Sequence, residues 1–200
     1  MIDPLREYLD LMRRMPFAEA ERLHNDFGIP WRALKATVPV PTRIRFTDKA
    51  ESFFEPYEDG KRAWIIPATC VDPERPEEIK AVNPLCVVAK GPVVDIVAFH
   101  PDSSKRFALR TGAAVVLGAV PPQLLQPDPV LVFNDVTGWL KSGCNGIVLL
   151  TRDGHQCGRI LRRIESPIGA HPAHVEAVKR WLALPEWPRA RPRPVFAMAA

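Results

Sequence analysis

The sequence predicts an α+β fold: a single domain in which a mixed sheet of short strands is flanked by N-terminal and C-terminal helices. Three observations carry that expectation. Apolar residues recur at helical spacing near both ends of the chain, over 5–12 and 175–182. Between them lie short apolar runs, of which 93–99 and 147–150 are the cleanest, each bounded by turn-forming residues as buried strands are. The 22 prolines are about twice the usual share and are spread along the whole chain, which implies many short elements with stiff connections. Two hundred residues suit one domain and can bury a core without disulfides or metal. An N-terminal helical segment is expected over 1–40, the α+β core over 41–184 and a tail over 185–200.

In chain order, Asp3 is placed to cap a helix whose first residue is Pro4. Leu5, Tyr8, Leu9 and Met12 give that helix one apolar face, and Met15-Pro16 ends it. A second helix is expected from Phe17 to Phe27, stopped by Gly28 and Pro30, and a short third one over 31–36. The glycine turn between them, with Arg32 and Lys35 near the start of the third helix, has the outline of a helix-turn-helix. A recognition helix needs such donors near its N-terminus, although a helical hairpin packed on a sheet gives the same pattern.

Residues 42–46 alternate as a half-exposed strand does. The aromatic-rich 52–57, the turn 58–61 and the run 62–68 complete an antiparallel meander in outline. Residues 72–79 read as a charged, proline-bounded connector. Strands are expected over 85–89 and 93–99, joined by a turn at 90–92, with a further short strand over 106–110. The alanine-rich run 113–120 favours a short buried helix. Residues 129–133 form a strand, Asp135 caps a helix over 136–141, and 147–150 form the last strand. That strand–helix–strand unit would lay two parallel strands side by side. Helices over 155–164 and 172–184 close the core, the second with Val175, Val178, Trp181 and Leu182 on one face. The tail is rich in Pro and Arg and is expected to be extended.

Charge is unevenly placed. Residues 1–60 hold 9 Lys/Arg and 11 Asp/Glu, whereas residues 151–200 hold 9 against 4. The positive potential of the last quarter favours an anionic partner such as DNA or RNA, gripped at its phosphates. Arg159, Arg162, Arg163, Lys179 and Arg180 on two helices, followed by Arg189, Arg191 and Arg193 in the tail, are the candidate contacts. A solvated helix face with a solubilising tail is the plain alternative.

Catalysis has one candidate group. Asp95 is a carboxylate inside an apolar strand, where burial without a partner is costly, and His100 and Asp102 lie where that strand ends. The odd spacing from Asp95 to His100 turns the two side chains to opposite faces of a regular strand. The four cysteines, Cys70, Cys86, Cys144 and Cys157, contain no C-x-x-C pair. Cys144, His155, Cys157, His171 and His174 match no zinc-site spacing, so no metal or cofactor is called for. There is no G-x-S-x-G, phosphate-binding or dinucleotide-binding glycine motif. No apolar run approaches eighteen residues and the N-terminus is charged, so a cytoplasmic protein without a membrane span is expected.

The stretches 91–101, 108–112 and 138–144 resemble uncharacterised proteins of α-proteobacterial prophages and other mobile elements. The resemblance runs from Ala63 to Gly154 and implies no activity; it points only to phage or plasmid biology. The expectation is an accessory, nucleic-acid-associated protein. The alternatives are a small hydrolase using Asp95, His100 and Asp102, and an adaptor whose proline-rich tail docks on a protein partner.

Overall fold

A computed structural model describes residues 3–13, 17–69, 93–102, 107–118, 129–164 and 166–185. Helix α1 (Pro4–Met12) starts where Asp3 Oδ1 accepts the backbone N–H groups of Leu5 and Arg6. Helix α2 (Phe17–Phe27) ends on a left-handed glycine. Gly28 N–H donates to His24 O and Ile29 N–H to Leu23 O, with Gly28 at φ 68°. Helix α3 (Trp31–Thr37) follows at once.

Five strands form an antiparallel sheet: β1 (Val40–Phe46), β2 (Phe54–Pro56), β3 (Lys61–Thr69), β4 (Val93–Phe99) and β5 (Phe107–Leu109), in the order β2-β1-β3-β4-β5. Its two edges curl toward each other. Leu109 N–H donates to Ser52 O at 2.8 Å, and Phe53 bridges Leu109 in parallel. The expected meander is corrected here, because β3 pairs with β1 and not with β2. The chain leaves β2, turns over β1 and pairs with its other side, Ile44 facing both Pro56 and Lys61. That crossing needs Gly60, where a Cβ would lie 2.2 Å from Ile44 O. Pro67 is tolerated inside β3 because it lies past the last β1 partner, and Ile96 O opposite it accepts Arg110 N–H instead.

Both faces of this sheet are covered, which explains why β3 and β4 are apolar on both sides, Asp95 excepted. Ala63, Ile65, Ile96, Ala98 and Ala108 share the concave core with Val40, Ile44, Phe54 and the buried Tyr8 of α1. Tyr8 Oη donates to the carbonyl of Val38 at 2.6 Å, fastening α1 to the end of α3. Trp64, Ile66, Ala68, Val97, Phe99 and Leu109 face the opposite way, into a core shared with Leu23, Ile29, Ala33 and Leu34 of α2 and α3. The first forty residues are therefore built into both cores.

A second sheet contains β6 (Val116–Leu117), β7 (Val130–Phe133), β8 (Ile147–Leu149) and β9 (Pro167–Gly169), in the order β6-β8-β7-β9. Strand β7 is parallel to β8 and to β9, and the β7–α4–β8 crossover through helix α4 (Val136–Lys141) is the expected one. Asp135 caps α4 by accepting Gly138 N–H at 2.6 Å. Helix α5 (Gly154–Leu161) carries the chain past β7 to β9, and α6 (Pro172–Ala183) follows. Val136, Trp139 and Leu140 of α4 pack toward the first sheet. Cys157, Ile160, Leu161 and Val178 of α5 and α6 cover the other face, against Val130, Val132, Ile147 and Leu149. The short helix expected over 113–120 is corrected: Val116 and Leu117 pair antiparallel with Leu149 and Val148 as an edge strand. The expected single mixed sheet is thus two sheets, and β9 has no counterpart in the sequence reading. The strand expected at 85–89, the turn at 90–92 and the connector at 72–79 lie outside the described residues.

Candidate functional site

The outer layer of α5 and α6 carries a group of exposed Lys and Arg side chains. Asp153 starts α5 by accepting His155 N–H at 2.9 Å, and the apolar face of that helix turns its remaining side chains outward. Arg159 and Arg163 are exposed there, and Lys179 and Arg180 are exposed on α6. Lys179 pairs with Glu176 at 2.8 Å. Arg152, exposed just before α5, belongs to the same layer and was not singled out from the sequence, though it lies in the same basic quarter. Arg189, Arg191 and Arg193 lie outside the described residues.

Two of the expected phosphate contacts, Arg162 and Arg32, bond backbone carbonyls in the structure. Arg162 turns back onto the end of α6, donating to Leu182 O at 3.3 Å and to Leu184 O. It satisfies carbonyls that a helix C-terminus leaves unpaired, and its charge suits the negative end of the helix dipole. Arg32 does the same for α4, donating to Ser142 O at 3.0 Å while its guanidinium lies against Gly143. A Cβ at Gly143 would sit 2.0 Å from Arg32 Nε. Two helices separated by a glycine turn are present as expected, and Arg32, the leading donor of the second, is tied to α4. His24 Nδ1 donates to Ile29 O at 2.9 Å and its ring packs on Trp31, so the turn is held by its own side chains. Lys35 is exposed on α3.

Asp95, His100 and Asp102 do not come together. Asp95 is 0% exposed and lies on the face of β4 that carries Val97 and Phe99. Its carboxylate accepts backbone N–H groups of Ile96 at 2.8 Å, Thr111 at 2.8 Å and Ala114 at 3.3 Å. Those donors occupy the carboxylate and pin the loop after β5. His100 lies five residues on, roughly 16 Å along an extended strand, on the other face with Ile96 and Ala98. It pairs with Asp102, whose N–H donates to His100 Nδ1 at 3.3 Å and whose Oδ2 is 3.7 Å from that nitrogen.

His100 lines a cavity of about 440 Å³ at the open mouth of the curled sheet. Its apolar lining is Ile44, Phe46, Ala63, Ala98, Phe99, Phe107 and Ala108, the alanines no more than 4% exposed, and Glu51, Lys61 and Arg62 stand at its edge.

The remaining sulfur and imidazole groups have structural places. Burial pushes the Cys144 thiol up to about 12, with Arg32 pulling weakly the other way. Burial, aided by the Asp153 carboxylate, pushes Cys157 up to about 11. Neither is a thiolate at neutral pH, so neither is an activated nucleophile. His171 caps α6, accepting Ala173 N–H at Nδ1. His174 is 7% exposed and packs edge-on against Trp181, ring centroids 5.4 Å apart. Its burial holds the imidazole below its usual range, partly offset by Asp135. Among the described residues no three His, Cys, Asp or Glu groups are placed to hold a metal ion, and no helix is long and apolar enough to cross a membrane.

The chain matches no protein-family model, and no curated protein or solved structure matches it.

Proposed function

We propose that this is a non-enzymatic accessory protein of a phage or mobile element that associates with nucleic acid through the outer α5–α6 layer. The observation that carries the reading is the exposure of Arg152, Arg159, Arg163 and Arg180 on that one layer. Residues 151–185 hold six Lys/Arg against three Asp/Glu, and the segment that follows adds three more arginines. Point charges on a helical surface neutralise phosphates and read no base edges, so the binding is indifferent to sequence. The enzymatic alternative is weakened by the sequestered Asp95 and the protonated thiols.

Fluorescence anisotropy with a labelled DNA duplex and an RNA of equal length tests this. The intact protein binds at least one of them with a Kd of roughly micromolar or weaker at physiological salt. Changing Arg159, Arg163 and Arg180 together to Glu removes the binding while the melting temperature holds. Absence of binding to both, or binding undiminished by the reversal, overturns the reading.

A further inference from the structure

The turn between α4 and β8 sets an asparagine before a glycine that the fold requires. Gly143, Cys144 and Gly146 have φ of 79°, 65° and 109°, so the chain turns tightly there. Gly146 is imposed by packing, since a Cβ would lie 2.2 Å from Leu131 O on β7. Its carbonyl accepts the Trp139 Nε1–H at 2.9 Å, and Trp139 is 0% exposed in the core shared by both sheets. Asn145 is exposed, and its backbone N–H donates to Ser142 Oγ at 3.1 Å. Among the described residues no hydrogen bond engages the Gly146 N–H or the Asn145 side chain.

Both partners of one reaction are therefore unprotected. The Gly146 nitrogen, losing its proton to solvent base, attacks the side-chain carbonyl carbon of Asn145. The new C–N bond closes a succinimide ring, the bond to Nδ2 breaks, and that nitrogen takes a proton from water and leaves as ammonia. Water then opens the ring at either carbonyl, giving aspartate or isoaspartate. In isoaspartate the main chain runs through the former side chain and is one methylene longer. The other asparagines are less open to this step. Asn25 precedes Asp26 inside α2, Asn134 precedes Asp135, and Asn83 precedes Pro84, whose nitrogen has no proton to lose.

We propose that Asn145 is a site of spontaneous deamidation and that the turn cannot hold the isoaspartyl product. The chain is pinned on both sides of the new methylene, at Asn145 N by Ser142 and at Gly146 O by Trp139, with Gly146 seated against Leu131. Lengthening it pulls Gly146 O from the buried indole N–H, which is left unpaired. The site shares no residue with the α5–α6 layer and is independent of the nucleic-acid reading.

The full chain is held at mildly alkaline pH and physiological temperature and sampled over days by peptide mass spectrometry. The tryptic peptide 142–152 contains Asn145 and no other asparagine. The expected result is the mass gain of an amide-to-acid conversion in that peptide, with isoaspartate exceeding aspartate, and no gain there in Asn145→Gln. The isoaspartyl fraction, separated by ion exchange, melts about 5 °C below the fresh protein. Asn145→Asp adds the charge without lengthening the chain and melts with the fresh protein. The same chain unfolded in urea must show the mass gain whether or not either variant folds. No gain at 142–152 in the folded chain, an isoaspartyl fraction that melts with the fresh protein, or Asn145→Asp melting as low as that fraction overturns the proposal.

Discussion

Replacing Asp95 with alanine should cost this protein a large part of its stability and leave any surface interaction intact. The carboxylate is fully buried and spends its oxygens on three backbone donors. Two of those, Thr111 and Ala114, belong to the segment that leads from β5 to β6, so they tie the first sheet to the second. Alanine leaves both without an acceptor, each at roughly 1–3 kcal/mol. The expected loss is about 3–5 kcal/mol, against roughly 5–15 kcal/mol for a whole domain. Asparagine should cost less, about 2 kcal/mol, because its carbonyl can still serve Thr111 while its amide faces the Ala114 N–H donor to donor. Urea unfolding followed by circular dichroism at neutral pH measures both. With a slope of roughly 2 kcal/mol per molar, the alanine midpoint falls by about 2 M. Hydrogen exchange at the Thr111 and Ala114 amides should accelerate in step. A loss below about 1 kcal/mol for alanine, or asparagine equal to the unchanged protein, would refute the assignment of Asp95 as the pin of that loop.

Three further outcomes follow from the packing. His174 is held below its usual range by burial, so the unfolded chain binds its proton first on acidification. Stability therefore falls as pH drops below about 6.5, and His174→Gln should flatten that part of a melting-temperature profile; an unchanged slope counts against it. A Cβ on Gly158 would lie 2.3 Å from Trp181 O, so Gly158→Ala should force α5 from α6 and cost about 1–3 kcal/mol in urea unfolding. A neutral result would mean that the helices can separate without loss. Arg32→Met should lower stability by about 1 kcal/mol through the α4 terminus and leave nucleic-acid affinity unchanged in anisotropy; a fall in affinity would restore Arg32 as a contact.

Much of the fold was legible because local chemistry marked it. Asp3-Pro4 and Gly28-Ile29-Pro30 bound the first two helices through caps that a sequence displays directly. Six of the seven residues of β4 are apolar enough to be read as buried, and the strand is buried from Asp95 to Phe99. The errors lie where the deciding partner is remote. Nothing near 58–61 tells that the chain crosses over β1 rather than folding back on β2, since the deciding contact is with the Ile44 backbone beneath Gly60. Residues 113–120 have helical composition, but Val116 and Leu117 complete the edge of a sheet by pairing with Leu149 and Val148, far along the chain. Strand β9 is three residues long and shows no alternation to find.

The same division runs through the candidate sites. Basic composition was visible, but whether an arginine points to solvent or to a helix end was not. Arg32 reaches a carbonyl 110 residues on, and Arg162 one 20 residues on. The cavity is lined from β1, β3, β4 and β5 and is invisible to any local pattern. The burial of His174 was within reach, because it stands four and seven residues before Val178 and Trp181 on the apolar face of α6.

The salt dependence of nucleic-acid binding tests the central claim most directly. Each phosphate neutralised by an arginine contributes about −0.9 to the slope of log K against log salt for duplex DNA. The four exposed arginines of the outer layer, Arg152, Arg159, Arg163 and Arg180, therefore predict a slope of about −3 or steeper for the intact chain. A slope shallower than about −1, or no measurable association at low salt, would contradict the account.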